Sequence, residues 1–309
     1  MSTARIIVVG SFAVGLTLRA PRFPVAGETL LAYDFDQGPG GKGSNQAVQA
    51  SRMGAEVEFV GVVGADAFGD MGRALWASEG VGTEWLRVTE DVSTGVGFIM
   101  LDDTGENRIL LDPGANNLLS PDDIAAAAPA ISRADVMLTQ LEVPVPAAAA
   151  ALRIAREAGV TTVLNPAPAR QLPDWKQLRA DVVTPNASEA CSMLGLDPDA
   201  EVGLEELGRG VVELGFATAV VTGGERGSVT VTDGSVRPRE AWPTRVVDST
   251  GAGDAFSGTL AAALAAGSRL EDAVDAASIA GALACTRLGV IPSLPRAADV
   301  VRAAETDGD

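Results

Sequence analysis

Short apolar runs separated by turn residues organise this chain. Ile6–Val9 is an aliphatic run ending in Gly10-Ser11 and predicts a buried strand. Residues 42–54 place Ala47, Ala50 and Ser51 on a small-residue helical face, and Val57–Val63 reads as the next strand. Segments 94–101 and 107–112 are short and β-rich, with Asp102–Glu106 as the turn between them, so a hairpin is expected. Beyond residue 120 the rhythm changes. Apolar strands at 135–141, 160–164, 181–184 and 217–222 alternate with Ala-rich helical segments at 121–131, 145–158, 187–194 and 203–214. Such alternation predicts a parallel sheet covered by helices on both faces. A β pair at 227–232 and 235–240 turns at Asp233-Gly234, and two apolar helices follow at roughly 253–267 and 271–287. The expectation is one large α/β domain over 1–309, with a small β appendage assembled from two separated pieces, about 12–37 and 94–112.

Composition narrows the chemistry. With 309 residues and 47% hydrophobic content, the chain can bury a large core. No apolar run approaches the ~20 uncharged residues of a membrane span. Residues 5–10 are too short for the apolar stretch of a secretory signal, so a cytoplasmic location without a membrane partner is expected. There is no histidine, which removes Ser-His-Asp hydrolysis, His-ligated metals and imidazole bases together. Proton transfer then falls to Asp, Glu, Lys, Cys or Tyr. Cys191 and Cys285 are the only cysteines and form neither a disulfide framework nor a zinc pattern. A net charge of −18 disfavours nucleic acid as a partner. A phosphate-binding enzyme with this charge needs local donors and cations to offset repulsion.

Four segments carry candidate chemistry. Asp248-Ser249-Thr250-Gly251-Ala252-Gly253-Asp254 opens a long apolar helix. Gly251 and Gly253 leave backbone N–H groups bare at its start, which favours anions. Asp254 falls in the first turn, where a carboxylate can take a proton from an attacking hydroxyl while the amides hold a transferring phosphoryl group. The plain alternative is an ordinary helix start with a stabilising Asp. Gly38-Pro39-Gly40-Gly41-Lys42-Gly43-Ser44-Asn45 also leads into a helix, without the spacing of a P-loop. It is either a flexible turn or a place where a ligand meets the backbone, with Lys42 and Asn45 as donors to sugar hydroxyls. Asn186 and Glu189 lie three apart at another helix start and read as a capping pair, or as contacts to nucleotide phosphates and Mg²⁺. Thr222-Gly223-Gly224-Glu225-Arg226-Gly227 ends a strand, where α/β folds place nucleotides, or is a β-turn.

Taken in order, these segments resemble the ribokinase branch of the PfkB carbohydrate kinase family. The resemblance runs from about residue 6 to about 298 and also takes in Gln46, Ser93-Thr94-Gly95, Gly114-Ala115-Asn116, Gln140-Leu141-Glu142, Asn165–Ala169, Arg287 and Pro292. It implies a ribokinase-like three-layer αβα domain with a mostly parallel central sheet and a small β-sheet lid. It implies transfer of the γ-phosphoryl group of ATP to a primary hydroxyl, with ribose as the default acceptor. Matching positions imply Asp254 as catalytic base and Gly251, Ala252 and Gly253 as the anion hole. Gly41, Lys42, Asn45 and Glu142 match sugar contacts. Asn186, Thr222, Gly224 and Gly227 match the nucleotide site, Ser278 stands in the adenine pocket, and Glu189 matches the residue that organises Mg²⁺. Asp248 and Ser293, with the carbonyls of Thr250, Ala284 and Gly289, resemble a monovalent-cation site, usually potassium. The resemblance further implies a homodimer joined through the lids.

One departure bears on the acceptor. Ribokinases carry Asn and Asp in a Gly-Ser-x-Asn-x-Asp turn that grips ribose hydroxyls, whereas this chain has Ala13 and Gly15 there. Two hydrogen-bonding groups are missing, so a deoxy-sugar, another modified sugar or a nucleoside is an alternative acceptor. Ribokinases also often place His where Ser278 stands. Two other classes compete. A sugar-binding protein that has lost turnover would keep the fold, yet the Asp248–Asp254 segment is complete. A nucleotide-dependent oxidoreductase would need a G-x-G-x-x-G turn after the first strand, which Gly10–Gly15 does not supply.

Overall fold

The computed structural model describes residues 3–104, 106–232 and 234–306. In chain order the N-terminal half contains β1 (Arg5–Val9), β2 (Ala13–Arg19), β3 (Tyr33–Gly40), α1 (Lys42–Arg52), β4 (Glu56–Gly64), α2 (Ala67–Glu79), β5 (Val81–Thr89), β6 (Gly95–Leu101), β7 (Asn107–Asp112), α3 (Pro121–Ala126), α4 (Ala128–Ile131) and β8 (Val136–Thr139). The C-terminal half adds α5 (Val145–Glu157), β9 (Thr161–Leu164), β10 (Val182–Val183), α6 (Ala187–Met193), α7 (Leu204–Glu213), β11 (Thr218–Thr222), β12 (Ser228–Thr232), β13 (Ser235–Arg239), α8 (Ala252–Ala265), α9 (Leu270–Ala284), α10 (Val290–Ser293) and α11 (Ala297–Thr306). The expected turns at Asp102–Glu106 and Asp233-Gly234 include Gly105 and Asp233, which lie outside the described residues, as do the ends of the 1–309 span.

The large sheet has the order β13-β12-β11-β10-β9-β8-β1-β4-β5. It is parallel from β11 to β5 and antiparallel only at β12 and β13. Alternation along the strands gives it two buried faces. Ile7, Val9 and Met137 pack with Ile124, Leu152 and Leu207 of α3, α5 and α7. Ile6, Val8 and Leu138 pack on the other side with Val48, Leu260 and Val274 of α1, α8 and α9. The three-layer α/β expectation is met.

The second sheet has the order β3-β2-β6-β7, with β2 and β6 parallel and the outer pairs antiparallel. Val14 and Leu16 turn into the core beside Phe12 and Trp76, so Ala13 and Gly15 face the opposite side. Gly15 stands in register between Gly38 and Gly97, and Ala13 between Gly40 and Gly95.

Several elements depart from the sequence pattern. α2 and β5 fill a stretch where none was expected, because Gly69 and Gly72 interrupt the helix pattern and charged residues interrupt the strand. The end signals were present: Asp66 caps α2 by accepting from the Gly69 N–H at 2.8 Å, and Gly80 closes it in the left-handed conformation. The helix expected at 121–131 divides at Ala127, with Pro129 near the start of α4. The strand expected at 181–184 pairs only over Val182–Val183, and α11 is an additional helix. The Gly38–Asn45 cluster is less of a loop than it looks. Gly38–Gly40 finish β3, and the turn contracts to Gly41, whose φ of 85° and contact with the Phe12–Ala13 backbone both require glycine.

Candidate active site

The carboxyl ends of the central strands meet the start of α8 at one carboxylate. Gly251 caps α8 at a φ of 85°, and Asp254 follows in the first turn, 6% exposed. Its Oδ2 accepts from Asn45 Nδ2 at 2.8 Å and its Oδ1 from Gln46 Nε2 at 2.9 Å. Both amides come from α1. That helix is buried continuously over residues 43–50, although Ala47, Val48 and Ala50 are its only large-enough apolar members there. Asn45 and Gln46 are inside because they serve this carboxylate, whereas Ser44 accepts from Trp76 Nε1 and Gln49 donates to Thr259 Oγ1. Gln46 Oε1 accepts from Gln140 Nε2 at 2.7 Å, and Gln46 Nε2 also reaches Asn165 Oδ1 at 3.1 Å. Asn165 Nδ2 donates to the Thr184 carbonyl at 2.9 Å. Gln140, Asn165 and Thr184 follow β8, β9 and β10, so three strand ends feed one amide network.

Burial pushes the Asp254 pKa above the usual carboxylate value, against the opposing pull of Lys42, Asn45 and Gln46. For Lys42, burial acts to lower the pKa, yet the charges of Asp254, Glu142 and Glu189 outweigh it and leave the pKa raised. Glu142 anchors the start of α1: its Oε2 accepts from Ser11 Oγ at 2.6 Å and from the Lys42 backbone N–H at 2.8 Å. At the α8 start the Ala252 N–H donates to the Ser249 carbonyl at 3.2 Å, a long bond that an anion could replace. A buried carboxylate beside a cation and such a helix start can hold a proton transiently while an anion sits at the amides.

Asn186 and Glu189 form a reciprocal capping box on α6, each side chain accepting the other's backbone N–H at 2.8 Å. The plain capping geometry is therefore realised. It leaves the second Glu189 oxygen outside those bonds. Burial raises the Glu189 pKa, opposed by its bond from the Asn186 N–H and by Lys42. Asn186 bridges to Thr222, so the ends of β10 and β11 bring these two residues together. Gly224 and Gly227 follow with φ of 61° and 75°. Gly227 is fixed by packing, since a Cβ would strike the Arg239 carbonyl, whereas Gly224 faces open space. Ser278 lies on α9 and donates to the Val274 carbonyl at 2.8 Å. One turn later, Gly281 lets α9 approach the Ala252 carbonyl.

A third group surrounds the loop before α8. Asp248 Oδ1 accepts from the Thr250 backbone N–H at 2.9 Å and from Thr250 Oγ1 at 2.7 Å, and its Oδ2 accepts from the Gly289 N–H at 3.3 Å. The Val247 and Asp248 N–H groups donate to the carbonyl of Cys285, next to Ala284. Ser293 Oγ donates to the Val290 carbonyl at 2.8 Å, and Val290 packs over Gly251. Asp248, Thr250 and Gly289 are thus bonded to one another behind the α8 start, with Ala284 at the end of α9 and Ser293 at the end of α10. Among the described residues no cluster of three or more His, Cys, Asp or Glu side chains is placed to hold a metal, and no helix is long and apolar enough to cross a membrane. Sequence reasoning gave no role to Ser11, Gln46, Gln140 or Asn165. The available signal was polar residues at positions where a core face was expected.

Known proteins are similar to this chain in sequence and in fold. A "Bifunctional ribokinase/ribose-5-phosphate isomerase A" of Fructilactobacillus sanfranciscensis is 37% identical over 94% of this chain, which spans 54% of that relative. A deoxyribokinase of Salmonella typhi is 33% identical over 94% of this chain and 95% of its own length. The ribokinase of Arabidopsis thaliana, solved with ribose and ATP, is 28% identical with a TM-score of 0.88 and covers 98% of this chain and 99% of that one. The pfkB family carbohydrate kinase pattern matches residues 3–297. The complete αβα domain, the small sheet and the glycine-led α8 therefore have one family context, and this chain belongs to the pfkB carbohydrate kinases.

Proposed function

We propose that this protein transfers the γ-phosphoryl group of ATP to a primary hydroxyl of a sugar-type acceptor, with Asp254 as the base. The reading rests on one observation: a buried carboxylate, held at both oxygens by Asn45 and Gln46, sits in the first turn of a helix whose glycine-led start carries no side-chain cap. Asp254 accepts the proton as the acceptor oxygen attacks in line. The Gly251–Gly253 amides hold the charge on the transferring group. Lys42, charged and surrounded by carboxylates, offsets repulsion between the acidic protein and the phosphates. Asn186, Thr222, Gly224 and Gly227 edge the nucleotide, with Ser278 beside its base.

The oxygen donors fit the expected cations. Glu189 keeps one carboxylate oxygen outside its capping bond, and Mg²⁺ is commonly held by one or two carboxylates plus substrate phosphates. Bound there, Mg²⁺ would supply charge neutralisation on the phosphoryl oxygens. Asp248, Ser293 and the carbonyls of Thr250, Ala284 and Gly289 offer hard oxygens suited to a monovalent cation such as K⁺, which would steady the α8 start. The small sheet covers the acceptor and excludes water. Exposed Leu31, Phe35, Ile109 and Leu110 on that sheet and its connection support a homodimer through it.

Ribose is the default acceptor by likeness to ribokinases, but one observation favours a different one. Gly15, Gly38 and Gly97 form an in-register row at which an added Cβ would meet nothing closer than 3.7 Å. Neither packing nor positive φ demands glycine there, so the row leaves the acceptor side bare of hydroxyl readers. A deoxy-sugar, a modified sugar or a nucleoside fits such a surface. The test is ADP formation from ATP with ribose, 2-deoxyribose, substituted pentoses and nucleosides. The expected result is a preferred acceptor other than ribose. Turnover of ribose equal to the best of the panel would end the argument from Ala13 and Gly15.

A further inference from the structure

We infer that Gln46 is a positioning residue for Asp254, and that Gln140 and Asn165 act through it by fixing which end of its amide faces the carboxylate. The inference rests on the reading of Asp254 as the base. Gln46 is fully buried, and its amide is read by three groups at once. Its oxygen accepts from Gln140 Nε2, and its nitrogen donates to both Asp254 Oδ1 and Asn165 Oδ1. Rotating the amide by half a turn would set its oxygen against two acceptors and its nitrogen against a donor. All three bonds would be lost at a residue shielded from bulk solvent.

The neighbours are themselves held. Asn165 donates its own nitrogen to the Thr184 carbonyl, so its oxygen must face Gln46. Beyond its bond to Gln46, Gln140 is held by packing alone: its Oε1 fills the space that a side chain at Gly10 would occupy and has no hydrogen-bond partner among the described residues. Thr184 Oγ1 meets Ser257 Oγ at 3.1 Å, one turn beyond Asp254 on α8, which closes the network on the helix it serves. Asn45 donates to the other oxygen, so Asp254 is oriented by two amides from consecutive residues of α1. These donors favour the carboxylate form of Asp254 and so oppose the effect of its burial. Lys42 from α1, Glu142 after β8 and Glu189 from α6 also act on this carboxylate, and none of them changes in the variants below.

The test is the pH profile of phosphoryl transfer in Gln46→Met and Gln140→Met. Gln46→Met keeps the length and removes the donor. Its kcat should fall ~10-fold, the acid limb of kcat/KM should move up by about one pH unit, and KM for ATP should stay within about twofold. Gln140→Met, which touches Asp254 only through Gln46, should move the limb in the same direction by less. A purely structural role would lower thermal stability and kcat while leaving the limb at the wild-type pH, and that result overturns the inference. If Gln46→Met does not fold, an unmoved limb in Gln140→Met overturns it alone. Asp254→Asn, run in parallel, separates the two readings. Wild-type turnover there refutes the base assignment itself, whereas an inactive Asp254→Asn with an unmoved limb in the glutamine variants refutes only the positioning role.

Discussion

Restoring a carboxylate at position 15 should convert the acceptor preference. Gly15 lies in β2 without positive φ, and an added Cβ would meet only the Gly38 carbonyl at 3.7 Å and Ile99 Cδ1 at 3.9 Å. Both are ordinary van der Waals distances, so Gly15→Asp enters without displacing backbone. Gly15→Ala should be neutral or stabilising by up to ~1 kcal/mol, because it only reduces the freedom of the unfolded chain. An ionised Asp that accepts from a sugar hydroxyl contributes ~1.5–3 kcal/mol, or about 10- to 150-fold in kcat/KM for an acceptor bearing that hydroxyl over one lacking it. The assay is the ratio of kcat/KM for ribose to that for 2-deoxyribose, measured for wild type, Gly15→Ala and Gly15→Asp. The ratio should rise at least tenfold in Gly15→Asp and stay flat in Gly15→Ala. A folded Gly15→Asp enzyme with an unchanged ratio would refute the claim that β2 reads the acceptor at this position.

Other perturbations probe the scaffold around the site. Arg52 binds Glu79 through two nitrogens at 3.0 and 2.5 Å and donates to the Ile291 and Leu294 carbonyls, tying α1 and α2 to α10. Arg52→Met leaves the half-buried Glu79 with only the more distant Arg296 and should cost ~2 kcal/mol, seen as a fall in Tm of ~3–6 °C. The Glu79 pKa is held down, first by the bond from Arg52. That part of the stability is therefore present above the ordinary carboxylate pKa and fades as pH falls through the depressed one; Arg52→Met should flatten this acid dependence of Tm. Asp248→Ala should abolish stimulation of turnover by K⁺ and, because the half-buried carboxylate accepts from Thr250 and from the Gly289 N–H, should also lower Tm by a few degrees. Phe35→Asp with Leu110→Asp should turn a dimer into a monomer by sedimentation at micromolar concentration, since both side chains are exposed apolar groups on the small sheet. A wild-type monomer under those conditions would contradict the dimer.

The βα rhythm after residue 120 was legible because each buried strand and each Ala-rich helix repeats its own period, and two-sided burial of the sheet leaves few exceptions. The N-terminal half was harder to read. α2 contains two glycines, one of which, Gly72, exists so that the Phe12 ring can lie on the helix, and a tertiary demand of that kind looks like a helix breaker in sequence. Gly41 and Gly43 looked like loop residues, yet they let the start of α1 lie against the Gly10–Ala13 backbone. At the site, Asp254 and its glycines were visible because their chemistry is local to one turn. Gln46, Gln140 and Asn165 come from three elements nearly 120 residues apart in the chain, and only the fold shows that they share one carboxylate. The capping box of Asn186 and Glu189 carries a different lesson. Its local cap is formed, and the second carboxylate oxygen is still available for another partner.

The account depends most on Asp254, and the direct measurement is acceptor-dependent ADP formation by wild type and Asp254→Asn at saturating ATP and Mg²⁺. The variant keeps the side-chain shape but loses the base, so kcat should fall by ~10²–10⁴ with acceptor binding retained. Asp254→Asn turning over at the wild-type rate, or a wild-type protein that forms no ADP in response to any sugar or nucleoside, would contradict it.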